Sequence, residues 1–414
     1  MRTYLPDHDL MALAGVPAVY HCHHFNLFLD QTIDDALGAE AGGAVRFAAA
    51  REAAHDLARA VVTSTNAVTT SERITAVQGV LSAMGHGRLQ IAASGDSGSA
   101  TGSFLHYGHT WMEKYGKLVR RRHPADAFAA GFAAGAVEVA FDLPRESMTA
   151  TETECLALRH GHCSFTLAGG APGASRPRMT EDTARAHVQP TFTGEHEDKV
   201  AAIAAGLRDF TAGVAGDARG LVQAFGVYVT AHLATYYNRI SYDAVARVEA
   251  DAPASVELVE DLLRESGHVC VFNTFGGILL SPEWEAMVGP LTGDPTEIIV
   301  GCLAIARALG FGHWTLAEYR RGERLVVRTP SSYESAYYLA RHGKAKRPNE
   351  YFLQGAVLAI AQLAHRVDWK ARPQLTQSYY QQLFRGGQLP WKVTEPRSLA
   401  TGDSLSEVIA DRIA

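Results

Sequence analysis

The chain has no run of about 18 consecutive apolar residues, the length a membrane-crossing helix needs, so no span is expected and membrane partners are set aside. It also has no excess of positive charge: 38 lysines and arginines stand against 44 acids, giving a net charge of −6. A nucleic-acid partner calls for a basic face, and the single basic run, Lys117 to Arg122, is too short to supply one. Cysteine is scarce and odd in number, five in 414 residues, which argues against a disulfide framework and for reduced thiols or metal ligands. Met1 to Gly15 carries acids and a proline where a secretion signal needs an apolar stretch, so a cytoplasmic location is expected.

What is present is globular: 47% hydrophobic residues and 20% charged ones. At 414 residues the chain exceeds one ordinary core and suits two domains of about 150 to 200 residues each. Self-comparison shows why, because five blocks recur in the same order. VYHCHHFNLFLDQTIDDA from Val19 lies against VYVTAHLATYYNRISYDA from Val227, which sets His24 opposite His232. Ala83, Gly85 and Gly87 face Ala308, Gly310 and Gly312, and the block ending at Lys117 matches the one ending at Lys344. The small-residue helix from Phe128 falls on the segment from Phe352, and ETECLALRHGHCSFTL from Glu152 falls on SYYQQLFRGGQLPWKV from Ser378.

The reading is therefore repeat A over 1–170, a Gly- and Pro-rich linker over 171–197, and a degenerate repeat B over 198–414, opening on an amphipathic helix from Lys199 to Thr211. Repeat B carries an insertion near Leu263 to Pro282 that includes the β-like run HVCVFNTFGGILL. Helices come first in each repeat, at Phe25 to Leu37 and Val45 to Val62 in repeat A. Alternating segments follow, RLQIAAS and SFLHYGHTW, then a Gly/Ala-rich helix and a last hairpin turning near Arg159. This predicts an α+β protein, two tandem ligand-binding domains, each an antiparallel sheet packed with helices, related by pseudo-twofold symmetry.

Glu152, Cys155 and Cys163 have the spacing Glu-x2-Cys-x7-Cys across that hairpin. A turn near Arg159 sets the thiols on neighbouring strands, where two thiolates and a carboxylate can share zinc or iron. Three other readings stand beside it: buried small apolar residues, a cross-strand disulfide, or a solvated Glu152. In repeat B the aligned residues are Ser378, Gln381 and Leu389, which cannot hold zinc as a set, so only repeat A is expected to bind metal.

FAAGFAAGAVEVAFDLPRESMTATETECLALRHGHCSFTL, from Phe128 to Leu167, resembles the C-terminal half of the four-vinyl-reductase domain, through Glu152, Cys155, Gly161, Cys163 and Phe165. That family shares a ligand-binding fold with TRAPP subunits and haem nitric-oxide sensors. The resemblance implies a small aromatic or hydrophobic ligand, with a zinc held by the Glu and both Cys together with a third cysteine on the small-residue helix. Here that helix offers only Ala127, Ala129 and Ala130, leaving His160, His162, His123 and the N-terminal histidines as candidates for the fourth position. The resemblance also points to a His and a Trp near the central hairpin as ligand contacts, matched by His86 and Trp111, with His106 and His24 added as ligand-binding candidates.

His21 and His24, placed on one helix, share a face at i and i+3. With His109 they are the candidates for acid–base work if the chain is instead a metalloenzyme with an open metal position. A carrier of a pigment or acyl chain is the third reading. The loop SGDSGSATG lacks the lysine of a phosphate-binding loop and reads as a hairpin turn. Fused repeats stand in for a homodimer, so light scattering is expected to give a monomer near 44.6 kDa, against a multiple of that mass if the chain associates.

Overall fold

The computed structural model describes all residues except 1, 6, 174–175, 385–390 and 414. Three short strands, β1 (Arg2–Tyr4), β2 (Met11–Leu13) and β3 (Val16–Cys22), lead into helices α1 (His23–Leu37), α2 (Ala39–Thr65) and α3 (Thr70–Ala83). The hairpin β4 (Gln90–Ser94) and β5 (Ser97–Gly102) follows, then α4 (His106–Tyr115), α5 (Ala127–Ala140) and the hairpin β6 (Met148–Glu154) and β7 (Cys163–Gly169). Next come α6 (Glu181–Arg185) and α7 (Glu197–Gly213), the second matching the expected amphipathic helix.

The C-terminal half repeats the order. It runs β8 (Val222–Ala224), β9 (Val227–Leu233), α8 (Ala234–Asp251), α9 (Val256–Cys270), the short α10 (Gly276–Leu279) and α11 (Pro282–Met287), and α12 (Pro295–Leu309). Then come β10 (Thr315–Arg320), β11 (Arg324–Thr329), α13 (Tyr333–His342), α14 (Tyr351–Arg366), α15 (Gln377–Phe384), β12 (Trp391–Arg397) and β13 (Ser406–Arg412).

Each half thus owns a four-stranded antiparallel sheet of the same topology, β4-β5-β7-β6 and β10-β11-β13-β12, packed with helices. The halves meet in a third sheet, β1-β2-β3-β9-β8, where β3 and β9 run antiparallel. Both strands hand over directly to a helix, at Cys22/His23 and at Leu233/Ala234. These junctions fix the internal register and make His21, not His24, the counterpart of His232. Tyr20 then pairs with its own counterpart, Ala231, and the pseudo-twofold axis passes through that pair.

The structure corrects the sequence alignment here by three residues. An odd slip matters in a strand because it moves every side chain to the other face. It also separates His21, in β3, from His24, in α1, so the two do not share a helical face.

Two further assignments change. The β-like run HVCVFNTFGGILL is helical, the end of α9 continuing through a π-helical turn, Val271–Phe275, into α10. It corresponds to α2 rather than to an insertion; a run buried on all sides carries no periodicity to tell helix from strand. Similarly, SFLHYGHTW is not a strand: β5 ends at Gly102, and His106, His109 and Trp111 lie on α4. The stretch 171–197 is tied to both halves, Glu181 N–H donating to Gly15 O at 2.7 Å and Gln189 N–H to Pro330 O at 2.9 Å.

Small residues let the central helices approach closely. A Cβ on Gly131 or Gly135 of α5 would come within 2.5 Å of the Phe47 and Arg51 carbonyl oxygens of α2. In the other half a Cβ on Gly355 of α14 would overlap the Arg264 carbonyl of α9. Gly355→Ala must therefore push two buried helices apart, and we expect it to lower stability by about 1 to 3 kcal/mol, read from the urea midpoint at unchanged m-value.

Candidate functional site

The hairpin β6–β7 is built to gather its polar residues. A register shift between Glu152 and Glu154 bulges β6, a single 3-10 turn covers Leu156–Leu158, and Arg159 adopts a left-handed φ of 71° to bring the chain back. Cys155 directly follows β6 and Cys163 opens β7. The ligating atoms of Glu152, Cys155 and Cys163 lie within 4.8 Å of one another, and both cysteines are fully buried. Tetrahedral zinc with bonds of about 2.0 to 2.3 Å needs donor separations not much shorter than this, so the three residues fit such an ion after a small contraction. All five cysteines are free, which leaves the disulfide reading without support.

Backbone N–H groups surround the cluster. Ala125 N–H donates to Cys155 Sγ at 3.3 Å, Leu156 N–H to Cys163 Sγ at 3.4 Å, and Asp126 N–H to Glu152 Oε2 at 2.9 Å. The hydrogen bond from Cys163 holds the Cys155 thiol down at about 6, while the same bond and burial drive Cys163 upward. Burial, with the Cys155 charge beside it, lifts Glu152 to about 9. An apolar pair of cysteines would not be furnished in this way; a thiol and a thiolate sharing one proton would.

None of the histidines considered for the fourth position joins this cluster among the described residues. His160 instead accepts the Cys155 N–H through Nδ1 at 2.9 Å, and His162 pairs with Glu154 at 2.9 Å on the exposed rim. Sequence reasoning missed Asp126, the residue just before α5. It is 1% exposed, accepts the Gly108 N–H at 3.0 Å through Oδ2, and lies 3.9 Å from Cys163 Sγ through the same oxygen. An acid directly before a helix is so ordinary a capping residue that its sequence position raised no signal.

Repeat B keeps the same hairpin, at β12–β13 rather than at the aligned block from Ser378. Superimposing the 3-10 turns Leu156–Leu158 and Leu399–Thr401 makes Glu395, Ser398 and Ser406 the counterparts of Glu152, Cys155 and Cys163. Ser378 and Gln381 lie on α15, and Leu389 falls outside the described residues. Glu350, directly before α14, takes the place of Asp126. Its Oε2 accepts hydrogen bonds from both serine hydroxyls, Ser398 at 3.0 Å and Ser406.

A second buried assembly sits on the pseudo-twofold. The left-handed turn Gly85-His86-Gly87 carries His86 inward, where its ring stacks on Phe128 at 4.4 Å and meets His232 at 4.6 Å and His106 at 5.7 Å, centroid to centroid. Burial pushes all three imidazoles well below their ordinary range, so they are neutral. Asn26 Nδ2 contacts His106 Nε2 at 2.9 Å, and because the amide donates, the His106 proton sits on Nδ1. Tyr107 OH binds His232 Nε2 at 3.1 Å. Four ring nitrogens, both of His86 and the Nδ1 of His106 and His232, lack a hydrogen-bond partner among the described residues.

The symmetry-related cage in repeat B is lined mostly by aromatic carbon. Phe311 takes the place of His86, Tyr333 that of His106 and Phe352 that of Phe128, with Phe311 stacked on Phe352 at 4.7 Å. His21 lies there, stacked on Phe25 at 3.8 Å, as His232 stacks on Tyr236 four residues on.

The remaining candidates are scattered. His24 accepts from Lys114 Nζ at 2.7 Å, and His109 pairs with Glu113 at 3.2 Å on the same helix. Trp111 lines a surface groove of about 660 Å³ with Leu27, Phe28 and Tyr115, away from the imidazole cage. Of the sequence-predicted ligand residues the structure brings together His86 and His106, but not His24 or Trp111.

No family profile matches the chain, and no curated protein matches it. Among solved structures it is similar to the phenol-responsive sensory domain of the transcription activator PoxR with phenol, at 15% identity and a TM-score of 0.33, over 39% of this chain and 80% of that one. A likeness of that degree does not bear on what this chain binds.

Burial lowers the Lys114 amine to about 8. Between about pH 8 and its ordinary value near 10.5 the unfolded chain holds this proton and the folded chain has released it, so stability from Lys114 rises with pH across that window and is lost as pH falls through it. Lys114→Met should remove this increment, seen as a smaller gain in urea midpoint than wild type between pH 8 and pH 10.

Proposed function

We propose that this chain binds a small hydroxylated aromatic molecule in repeat A, at the cage of His86, His106 and His232, and that a zinc or iron ion at Glu152, Cys155 and Cys163 braces the cage. The observation that carries the reading is the set of four buried ring nitrogens without a partner among the described residues. Buried polar groups are satisfied in the great majority of cases, and three packed imidazoles with spare donors and acceptors call for a hydroxyl that can do both. Phe128, Tyr107 and Tyr236 pack on one another and Phe128 stands 4.4 Å from both His86 and His232, so an aromatic ligand would enter by moving these rings apart and stacking among them. Phenol-like ligands satisfy both demands in one molecule. The four-vinyl-reductase resemblance points to the same ligand class and is part of this proposal.

The brace acts through the chain. His106 and Tyr107 open α4, and the next residue, Gly108, donates to Asp126 beside the cysteines. Phe128 follows Asp126 by two residues on α5. A metal drawing the hairpin against these helix starts would hold the walls of the cage in place; bound there, it supplies a charge that replaces protons on the thiols. The fully buried thiols and the absence of histidine from the cluster among the described residues favour this bracing role over a metalloenzyme reading.

His86→Phe copies the residue that repeat B carries at this place and removes two of the four spare nitrogens, leaving those of His106 and His232. We expect phenol, titrated calorimetrically into the full chain, to bind wild type and to bind this variant at least about tenfold more weakly, with the melting temperature unchanged or raised. Equal binding by both proteins, or no heat with wild type, would sink the reading.

A further inference from the structure

The donor set of the metal site is incomplete as three residues, because structural zinc takes four. We infer that Asp126 is the fourth ligand, giving a two-sulfur, two-oxygen site made of Asp126, Glu152, Cys155 and Cys163; the inference rests on the metal-binding reading above.

Three independent observations support it. The first is position: Asp126 is buried to 1% exposure and lies 3.9 Å from Cys163 Sγ, with its own N–H bonded to Glu152; its carboxylate stands outside the 4.8 Å that joins the other three donors, so it must draw in with the ion. The second is the pattern of second contacts. Each of the four side chains accepts one backbone N–H: Cys155 from Ala125, Cys163 from Leu156, Glu152 from Asp126 and Asp126 from Gly108. Outer contacts of this kind orient metal ligands and hold them anionic. Glu152 Oε1 is buried without a hydrogen-bond partner among the described residues. Four acidic groups gathered away from solvent require either extra protons or a positive ion.

The third observation comes from the other half of the chain. Where repeat B has serines in place of cysteines, Glu350, the counterpart of Asp126, accepts from both hydroxyls through one oxygen. The backbone of this fold therefore brings the acid before the helix to the hairpin side chains, to both serines in repeat B and to Cys163 in repeat A. With protons on the serines that point is a hydrogen-bonded centre; with thiolates in repeat A the same point suits a divalent ion such as zinc, Fe(II) or Co(II).

The test uses the full-length chain with Zn²⁺ and Co²⁺ as probes. Asp126→Asn keeps the shape and a carbonyl for the Gly108 N–H but removes the anionic ligand, and its zinc affinity, by competition with a chelator dye, should fall about tenfold to a hundredfold. Asp126→Cys should raise the sulfur-to-cobalt charge-transfer absorption by about half, as three thiolates replace two, and shift the visible cobalt bands. Cys163→Ser should lose the metal in either case. Wild-type affinity and an unaltered cobalt spectrum in Asp126→Asn would overturn the assignment while Cys163→Ser still upheld the three-residue site. A wild-type chain that takes up neither ion would overturn both.

Discussion

Everything distinctive in this structure depends on the antiparallel pairing of β3 with β9. Because Tyr20 pairs with its own counterpart Ala231, the two halves are joined by a symmetric strip of backbone hydrogen bonds. Backbone pairing of this kind is register-specific, and its register decides which side chains reach the centre. His232, from the C-terminal half, completes the cage of the N-terminal half, and His21 crosses the other way into the aromatic cage of repeat B. Neither cage is assembled by one repeat alone.

Duplication has kept the framework and let the chemistry drift apart. Of the two glycines that seat α5 on α2, Gly131 has its counterpart in Gly355 on α14 against α9, and the turn carrying His86 has its partner around Phe311. What differs is the polarity set on that framework. Imidazoles in one cage face phenyl rings in the other, and two thiols in one hairpin face two hydroxyls in the other. The phenyl-lined cage leaves one ring nitrogen, His21 Nε2, without a partner among the described residues, whereas the imidazole cage leaves four. The asymmetry places most of the unpartnered ring nitrogens, and both hairpin thiols, in repeat A.

The hairpin and the imidazole cage of repeat A are connected by short stretches of chain. From Asp126 to Phe128 and from Gly108 back to His106 are two-residue steps, each at the start of a helix. Helix starts are rigid once their first turn is packed, so displacement at the hairpin is transmitted to the cage walls rather than absorbed between them.

Much of this was legible in the residues. Spacing alone put Glu152, Cys155 and Cys163 on one hairpin, because a β-turn of known length fixes which strand positions meet; composition excluded a membrane-crossing helix; and block order revealed antiparallel sheets packed with helices in duplicate. Tertiary structure alone decided the register of the duplication, since that is set by where a strand becomes a helix and not by the letters on either side. It likewise decided that His86 meets His232, that Trp111 turns to a separate groove, that the run through Cys270 is helical, and that Asp126 reaches the cysteines. Local sequence fixes contacts a few residues apart, whereas these depend on how distant elements pack, and packing is a property of the whole chain.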